Sequence, residues 1–243
     1  MYDTLLHMKT IYRITTLALS LFVLALAAHA QIKNINPYQI EFRGGGNLSE
    51  MEVSGAAIDS KMKLGFHFTG VFTYNMYDRF AFQTGLTLSK KGLKQNVNTY
   101  NEDELTGKIT HLDVETTVDA NFLQMPLMLG YEFNLSRSVA LNIFGGGYGS
   151  LGFSGETKMK GKEETMYGVV VGNSRDIDSV KDTFDGTLKK LDYGITGSLG
   201  LVISEMYLIN FNYEHGLADL SDNTDVYKSL KNRNYTLSLG IRF

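Results

Sequence analysis

Apolar residues alternate with polar or small ones along the C-terminal stretch Tyr235-Thr-Leu-Ser-Leu-Gly-Ile-Arg-Phe243. A period of two is typical of a β-strand whose two faces meet different surroundings. One face carries Tyr235, Leu237, Leu239, Ile241 and Phe243, and the other carries Asn234, Thr236, Ser238, Gly240 and Arg242. In a soluble sheet a second layer would cover the apolar face, and here no segment follows to supply one. An apolar band outside, a polar lining inside and a terminal aromatic residue are typical of a transmembrane β-barrel strand.

The same alternation predicts eight strands. They cover about residues 38–46, 61–74, 79–89, 118–133, 138–151, 190–203, 206–217 and 234–243. Each is long enough to cross a bilayer when tilted. The second of them is the clearest example, because Phe66, Phe68 and Phe72 share one face while His67 and Thr73 share the other.

The connections between these strands alternate strictly in length. Residues 75–78, 134–137 and 204–205 form short turns, and residues 47–60, 90–117, 152–189 and 218–233 form long polar loops. Outer membrane barrels have short periplasmic turns and long external loops. We therefore predict an all-β protein, an eight-stranded antiparallel up-and-down transmembrane barrel in the outer membrane. The alternative is a secreted soluble sandwich or a lipocalin-like barrel, which would need the apolar face inside.

The N-terminal region predicts export. An apolar run from Leu17 to Ala28 follows Lys9 and Arg13, and the small residues Ala28 and Ala30 flank a cleavage-type sequence before Gln31. This pattern is typical of a secretory signal peptide, and the run is short for a membrane-spanning helix. We expect a cleaved signal peptide at 1–30 and a barrel domain at 31–243, with an N-terminal anchor helix as the alternative.

Composition narrows the function further. The formal net charge of −3 gives no reason to expect a nucleic-acid partner, and 25 Gly with 2 Pro suits strands and turns. The chain has no Cys, so it uses no disulfide. We find no phosphate-binding loop, dinucleotide fingerprint or His/Cys metal pattern, and we expect no cofactor and no metal.

Charged residues on the inward faces predict a filled lumen. An eight-stranded barrel is filled by its own side chains, and charges inside it are tolerable only when they are paired. We interpret them as a structural polar plug, with a proton or solute path, a narrow channel, as the alternative. The inward set is Glu41, Arg43, Lys63, His67, Gln83, Gln124, Glu132, Asn142, Asp192, Asn210, Asn212, Glu214 and Arg242.

Two histidines are the candidates for enzyme chemistry at the outer rim. His111 lies two residues from Asp113, and His215 follows Glu214. Neither pair has a Ser, a Cys or a second acid at a spacing that indicates an activated nucleophile. A non-enzymatic protein is therefore expected, and an outer membrane enzyme with a site among the external loops is the competing class.

The lysines suggest a lipid partner. Every Lys after residue 30 except Lys33 falls in the proposed outer half, near where strands meet external loops. Lys binds phosphate as a point charge, so we predict a basic collar that contacts lipopolysaccharide phosphates. Ordinary solubility of charged loops is the alternative. The collar consists of Lys61, Lys90, Lys91, Lys94, Lys189 and Lys190.

Four segments carry a resemblance to a known family. They are 123–133 (LQMPLMLGYEF), 145–149 (GGGYG), 210–217 (NFNYEHGL) and 232–243 (NRNYTLSLGIRF). Together they resemble the PorT-type outer membrane β-barrel domain family of Gram-negative bacteria. The resemblance implies a structural or surface-interaction role, a possible partner in a secretion machine or at the cell surface, and no catalytic residues. It also implies that Phe243 belongs to the signal that the barrel-assembly machinery reads.

Overall fold

The computed structural model describes residues 37–54, 60–77, 79–103, 108–167, 170–222 and 229–243. The predicted signal peptide at 1–30 lies outside these residues. No helix in the described ranges is long and apolar enough to cross a membrane. The strands are β1 (Tyr38–Ser54), β2 (Ser60–Lys61), β3 (Lys63–Tyr77), β4 (Phe80–Asp103), β5 (Lys108–Asn134), β6 (Val139–Tyr167), β7 (Val170–Asp182), β8 (Leu191–Ile203), β9 (Tyr207–Gly216) and β10 (Ser229–Arg242).

Eight of these strands close into a barrel. The sheet order is β4-β3-β1-β10-β9-β8-β6-β5, and an additional β4–β5 pairing closes the ring. The neighbours pair antiparallel, including β4 with β5 and also β1 with β10, the first and last strands along the chain. The predicted up-and-down barrel is therefore confirmed. The remaining strands are additions outside the ring, with β2 paired to β4 and β7 paired to β6.

The two faces of the wall differ as the alternation predicts. Along β8 every second residue is buried, and the intervening residues are exposed except Gly197, which is half-buried. The outward band is apolar, with Leu64 74% exposed and Phe66 66% exposed, while inward Gln83 is fully buried. An apolar belt around a polar interior is the arrangement of a barrel solvated by lipid.

β1 runs on through 47–54, which was predicted to be part of a loop, and three more strands extend well beyond their predicted ends. β4, β5 and β6 continue through the stretches 90–103, 108–117 and 152–167, which we predicted to be loops. Together with β7 they form a four-stranded sheet beyond the ring, which we call the outer sheet. It consists of residues 94–103 of β4, 108–117 of β5, 156–167 of β6, and β7. Both faces of these segments carry polar residues, so no apolar period marks them in the sequence.

The turn between β8 and β9 is the tightest of the predicted short connections. Ser204 and Glu205 both have positive φ values, of 53° and 62°. The amide of Met206 donates to the carbonyl of Ile203 at 3.2 Å. Two consecutive residues with φ above zero are the geometry of a type I′ turn, which fits the twist of a hairpin.

Candidate functional site: the lumen and the outer rim

The end of the lumen nearest the short turns is closed by a charge network. Glu41 is fully buried and accepts hydrogen bonds from Arg43 and from Nε of Arg242, the latter at 2.8 Å. Nη1 of Arg242 also donates to Oε2 of Glu132 at 2.7 Å. Each carboxylate therefore has an arginine partner, which is the condition for keeping charges inside a barrel.

A second network lies midway along the lumen. Nζ of Lys91 donates to Oε2 of Glu214 and to Oε1 of Gln124, both at 2.8 Å. Glu214 also accepts a hydrogen bond from Nε2 of Gln124 at 2.7 Å and from Asn234 at 3.1 Å. Lys91 was predicted to contact lipopolysaccharide, and that assignment is wrong because its side chain is buried in the lumen. β4 runs on past residue 89, and Lys91 keeps the inward parity of Gln83.

A small polar cavity lies between these two networks. Its volume is about 50 Å³, and Arg43, His67, Gln83, Ser89 and Glu214 are among the residues that line it. Nδ1 of His67, Oε1 of Gln83 and Oγ of Ser89 are buried without a protein hydrogen-bond partner. Such a volume accommodates a few water molecules, and polar atoms of this kind are usually satisfied by buried water.

An apolar cluster covers the outer mouth, and we call it the cap. Its buried members are Met51, Leu93, Val118, Ala120, Phe122, Leu188, Leu220 and Leu230, with Phe184 packed against them. Leu188 and Leu220 belong to two connections that fold inward and meet. The amide of Lys189 donates to the carbonyl of Leu220, and the amide of Leu220 donates to the carbonyl of Leu230, both at 2.8 Å. The polar plug that we predicted is therefore topped by an apolar layer.

Asp219 fastens one of the two cap connections. Its Oδ1 accepts hydrogen bonds from the amides of Leu230 at 2.9 Å and Ser221 at 3.1 Å. Burial opposes ionisation of this carboxyl group, but the two amides and the charge of Lys189 outweigh it and hold the pKa of Asp219 below its ordinary value. The carboxylate form is therefore the one that fits the folded cap.

Neither histidine pair forms a catalytic arrangement. His111 stacks on Tyr100 with ring centroids 4.2 Å apart, and its Nε2 lies 3.1 Å from Oδ1 of Asn98. His215 contacts the hydroxyl of Tyr213 at 3.3 Å, whereas Glu214 faces Lys91 in the lumen. In the described part of the chain no group of three or more His, Cys, Asp or Glu side chains could hold a metal ion.

The other lysines of the predicted collar lie outside the lumen. Lys61, Lys94, Lys189 and Lys190 are exposed, and Lys90 is half-buried beside Asp119. Lys61 and Lys94 are direct cross-strand partners, whereas Lys189 and Lys190 lie in the connection that leads into β8. Contact of these five residues with lipopolysaccharide stays a prediction.

Phe243 lies on the lipid-facing side at the edge of the short turns. Its amide donates to the carbonyl of Ile40 at 2.8 Å, and its carbonyl accepts from the amide of Ile40 at 3.2 Å. Its ring meets that of Phe42 edge-on, with centroids 6.3 Å apart. The residue thus completes the seam between β10 and β1, and its role as an assembly signal stays a prediction.

A closed ring with a lipid-facing apolar belt and a filled polar lumen defines an integral outer membrane barrel. The model of the outer membrane protein beta-barrel domain family matches residues 12–222, and the chain belongs to this family. No curated protein matches the chain.

Several solved structures are similar to the chain at low identity. OprG from Pseudomonas aeruginosa is 15% identical with a TM-score of 0.42, and the match covers 88% of this chain and 99% of that one. Ail of Yersinia pestis, solved in complex with the heparin analogue sucrose octasulfate, is 14% identical with a TM-score of 0.35 and coverages of 86% and 100%. Neisserial surface protein A is 10% identical with a TM-score of 0.36 and coverages of 85% and 96%.

Proposed function

We propose that this outer membrane barrel is non-enzymatic and holds the outer sheet above the membrane as a surface for a partner protein. The observation that supports this most directly is the unbroken pairing of β5 with β6. It runs from Asn134 and Ala140 near the short turns to Lys108 and Tyr167 at the far end. One β-ladder therefore passes from the membrane into the outer sheet, with a single bulge at Asn121 and Phe122.

Residues of opposite charge lie across from each other on neighbouring strands of the outer sheet. Lys160 lies opposite Glu115 of β5 and Asp178 of β7. Lys162 lies in the same way opposite Asp113 and Asp176. Opposite charges on neighbouring strands stabilise a sheet by roughly 0.2–1 kcal/mol per pair. A pre-ordered surface loses less entropy when it binds a partner.

The free edge of β7 suggests how a partner would bind. Among the described strands β7 pairs only with β6, so its other edge presents backbone donors and acceptors. Addition of a strand to such an edge is a common mode of peptide recognition. The PorT-type resemblance gives the finer proposal, in which the partner belongs to a secretion machine.

The test shortens the outer sheet without touching the barrel. The amide of Thr183 already donates to the carbonyl of Gly155 at 3.2 Å, so residues 156–182 can be replaced by an Asn-Gly turn. Full-length and shortened proteins are captured from mildly solubilised outer membranes, and co-purifying proteins are quantified by mass spectrometry. The matched control is E163R/R175E, which exchanges the charges of a β6–β7 pair whose β5 neighbour, Leu112, is uncharged, and which keeps the β7 edge.

We expect a partner that the parent and the control retain and that the shortened variant loses. Equal recovery of every protein by all three would contradict the proposal. Heat-modifiable gel migration must first show that each variant forms a folded barrel.

A narrow channel is the second candidate, and the polar cavity around His67 favours it. The cap and the Glu41–Arg242 network lie on either side of that cavity, so we expect little or no steady conductance from the pure protein in planar bilayers. Large and reproducible channels from the folded parent would favour a transport function over the presentation of a surface to a partner protein.

A further inference from the structure

The apolar belt ends at one level on β4 and β5, and cationic side chains begin directly beyond it. Leu88 and Leu123 are cross-strand partners at the outer limit of the belt, and both side chains are exposed. The next outward residue of β4 is Lys90, followed by Lys94. Lys94 lies directly opposite Lys61 of β2. We call Lys61, Lys90 and Lys94 the lysine cluster.

The carboxylate of Asp119 is shared by two lysines, Lys63 and the cluster member Lys90. Oδ1 of Asp119 lies 2.6 Å from Nζ of Lys63 and 3.0 Å from Nζ of Lys90. The Lys63 side chain crosses β4 at Gly92, where a Cβ would lie 3.1 Å from Cδ of Lys63 and 2.0 Å from the carbonyl oxygen of Val118. Because two ammonium groups share one carboxylate, Lys63, Lys90 and Asp119 together carry a net positive charge.

Two other cations beyond the belt have acidic partners of their own. Arg233 pairs with Glu52 at 2.5 Å, and Lys158 pairs with Glu156 at 3.1 Å. By contrast, neither Lys61 nor Lys94 forms an ion pair with a described residue, although their like charges face each other across strands. Like charges directly opposite each other destabilise a sheet, so a bound anion would relieve their repulsion.

We infer that Lys61, Lys90 and Lys94 bind the phosphate group of a lipid in the outer leaflet. The cluster lies at the level where headgroups meet the apolar belt, and Leu64, Leu86 and Leu88 below it offer a surface for acyl chains. Lysine binds phosphate as a point charge, and several of them at a membrane surface add their attraction. The site is local rather than the full collar, and it does not depend on the proposed partner protein.

Native mass spectrometry of the full chain in neutral detergent tests this site. The probe is lipid A with both phosphates, added to the parent and to K61Q/K90Q/K94Q. The control is K158Q/K160Q/K162Q, which removes the same charge from lysines that already face acids. Because exposed charge contacts are individually weak, we expect the first variant to bind about tenfold more weakly and the control to bind like the parent.

Equal binding by the parent and K61Q/K90Q/K94Q would overturn the site, as would an equal loss in the control. Dephosphorylated lipid A should bind no better to the parent than to the variant. Displacement of lipid A by millimolar inorganic phosphate would indicate a free-anion site and would also overturn the assignment. Because Lys90 holds Asp119, K61Q/K94Q repeats the test with that ion pair intact if the triple variant does not fold.

Discussion

The ammonium group of Lys91 lies 2.8 Å from Oε2 of Glu214 in the middle of the barrel lumen. The side chain of Lys91 is fully buried and that of Glu214 is nearly so. Gln124 bridges the two, since it accepts from Lys91 and donates to Glu214. This pair joins β4 to β9 across the lumen, which links strands that are not neighbours in the ring.

Removing one member of this pair should destabilise the barrel strongly. K91M or E214Q leaves the charge of the other residue buried without its partner, and we expect a loss of about 3–5 kcal/mol in the free energy of unfolding. The double variant K91M/E214Q should lose clearly less than the sum, because neither residue of the pair is then a charge without its partner. Urea unfolding in detergent, arranged as a double-mutant cycle, measures the coupling. Additive losses would show that the two groups are energetically independent.

The turn at Ser204 and Glu205 should be open to improvement. Both residues have positive φ values, a backbone conformation that residues other than Gly and Asn rarely adopt. The type I′ turn favours Asn-Gly, so S204N/E205G should raise the free energy of unfolding by about 1 kcal/mol. The temperature at which folded and unfolded bands interconvert on a gel reports the change. No rise in that temperature would mean that the backbone there is not strained.

The cap should loosen in acid because Asp219 fastens it. The pKa of Asp219 is lower in the folded protein than in the unfolded chain, so its contribution is fully present above about pH 4 and is lost as the pH falls through the folded pKa. Hydrogen exchange at the amides of Leu220 and Leu230, corrected for intrinsic rates, should accelerate there. D219N should remove that acid dependence, and an unchanged profile would assign it to another group.

Deleting Phe243 should lower the amount of assembled protein without changing its synthesis. The deletion removes both hydrogen bonds to Ile40 and the ring contact with Phe42 at the seam of the barrel. F243Y keeps the backbone pairing and the aromatic ring and serves as the control. The ratio of folded to unfolded band in outer membrane fractions gives the result. Normal assembly of the deletion would remove Phe243 from the assembly signal.

The alternation of apolar and polar residues was enough to predict the barrel, because lipid favours apolar side chains on one face of each strand and the lumen favours polar ones on the other. Glu41, Gln83 and Glu214 face inward as predicted, and Phe66 and Leu239 face lipid. The outer sheet was not predicted because both of its faces meet water. Its sequence therefore shows no alternation of apolar and polar residues. Lys91 was misassigned for a related reason, since the parity of β4 was not carried past residue 89.

The cap could not be predicted from local pattern. Leu188 and Leu220 lie in connections where isolated leucines carry no period, and only the fold brings them together over the mouth. Their partner Leu93 lies in a stretch that was predicted to be a loop, and Val118 faces inward where a polar lining was expected. A run of inward apolar positions at the same height on several strands is the signal that would have indicated it.

One side of the barrel wall, formed by β4, β5 and β6, extends beyond the ring as the outer sheet. A foreign epitope could therefore be presented on this side of the protein. Between Val118 and Lys108, β5 rises by about 33 Å at roughly 3.3 Å per residue, and β4 accompanies it to Asp103. A peptide tag inserted between Asp103 and Lys108 would therefore stand well clear of the bilayer on one side of the barrel. Antibodies against such a tag should label intact cells, and the barrel would serve as a display scaffold with a built-in spacer.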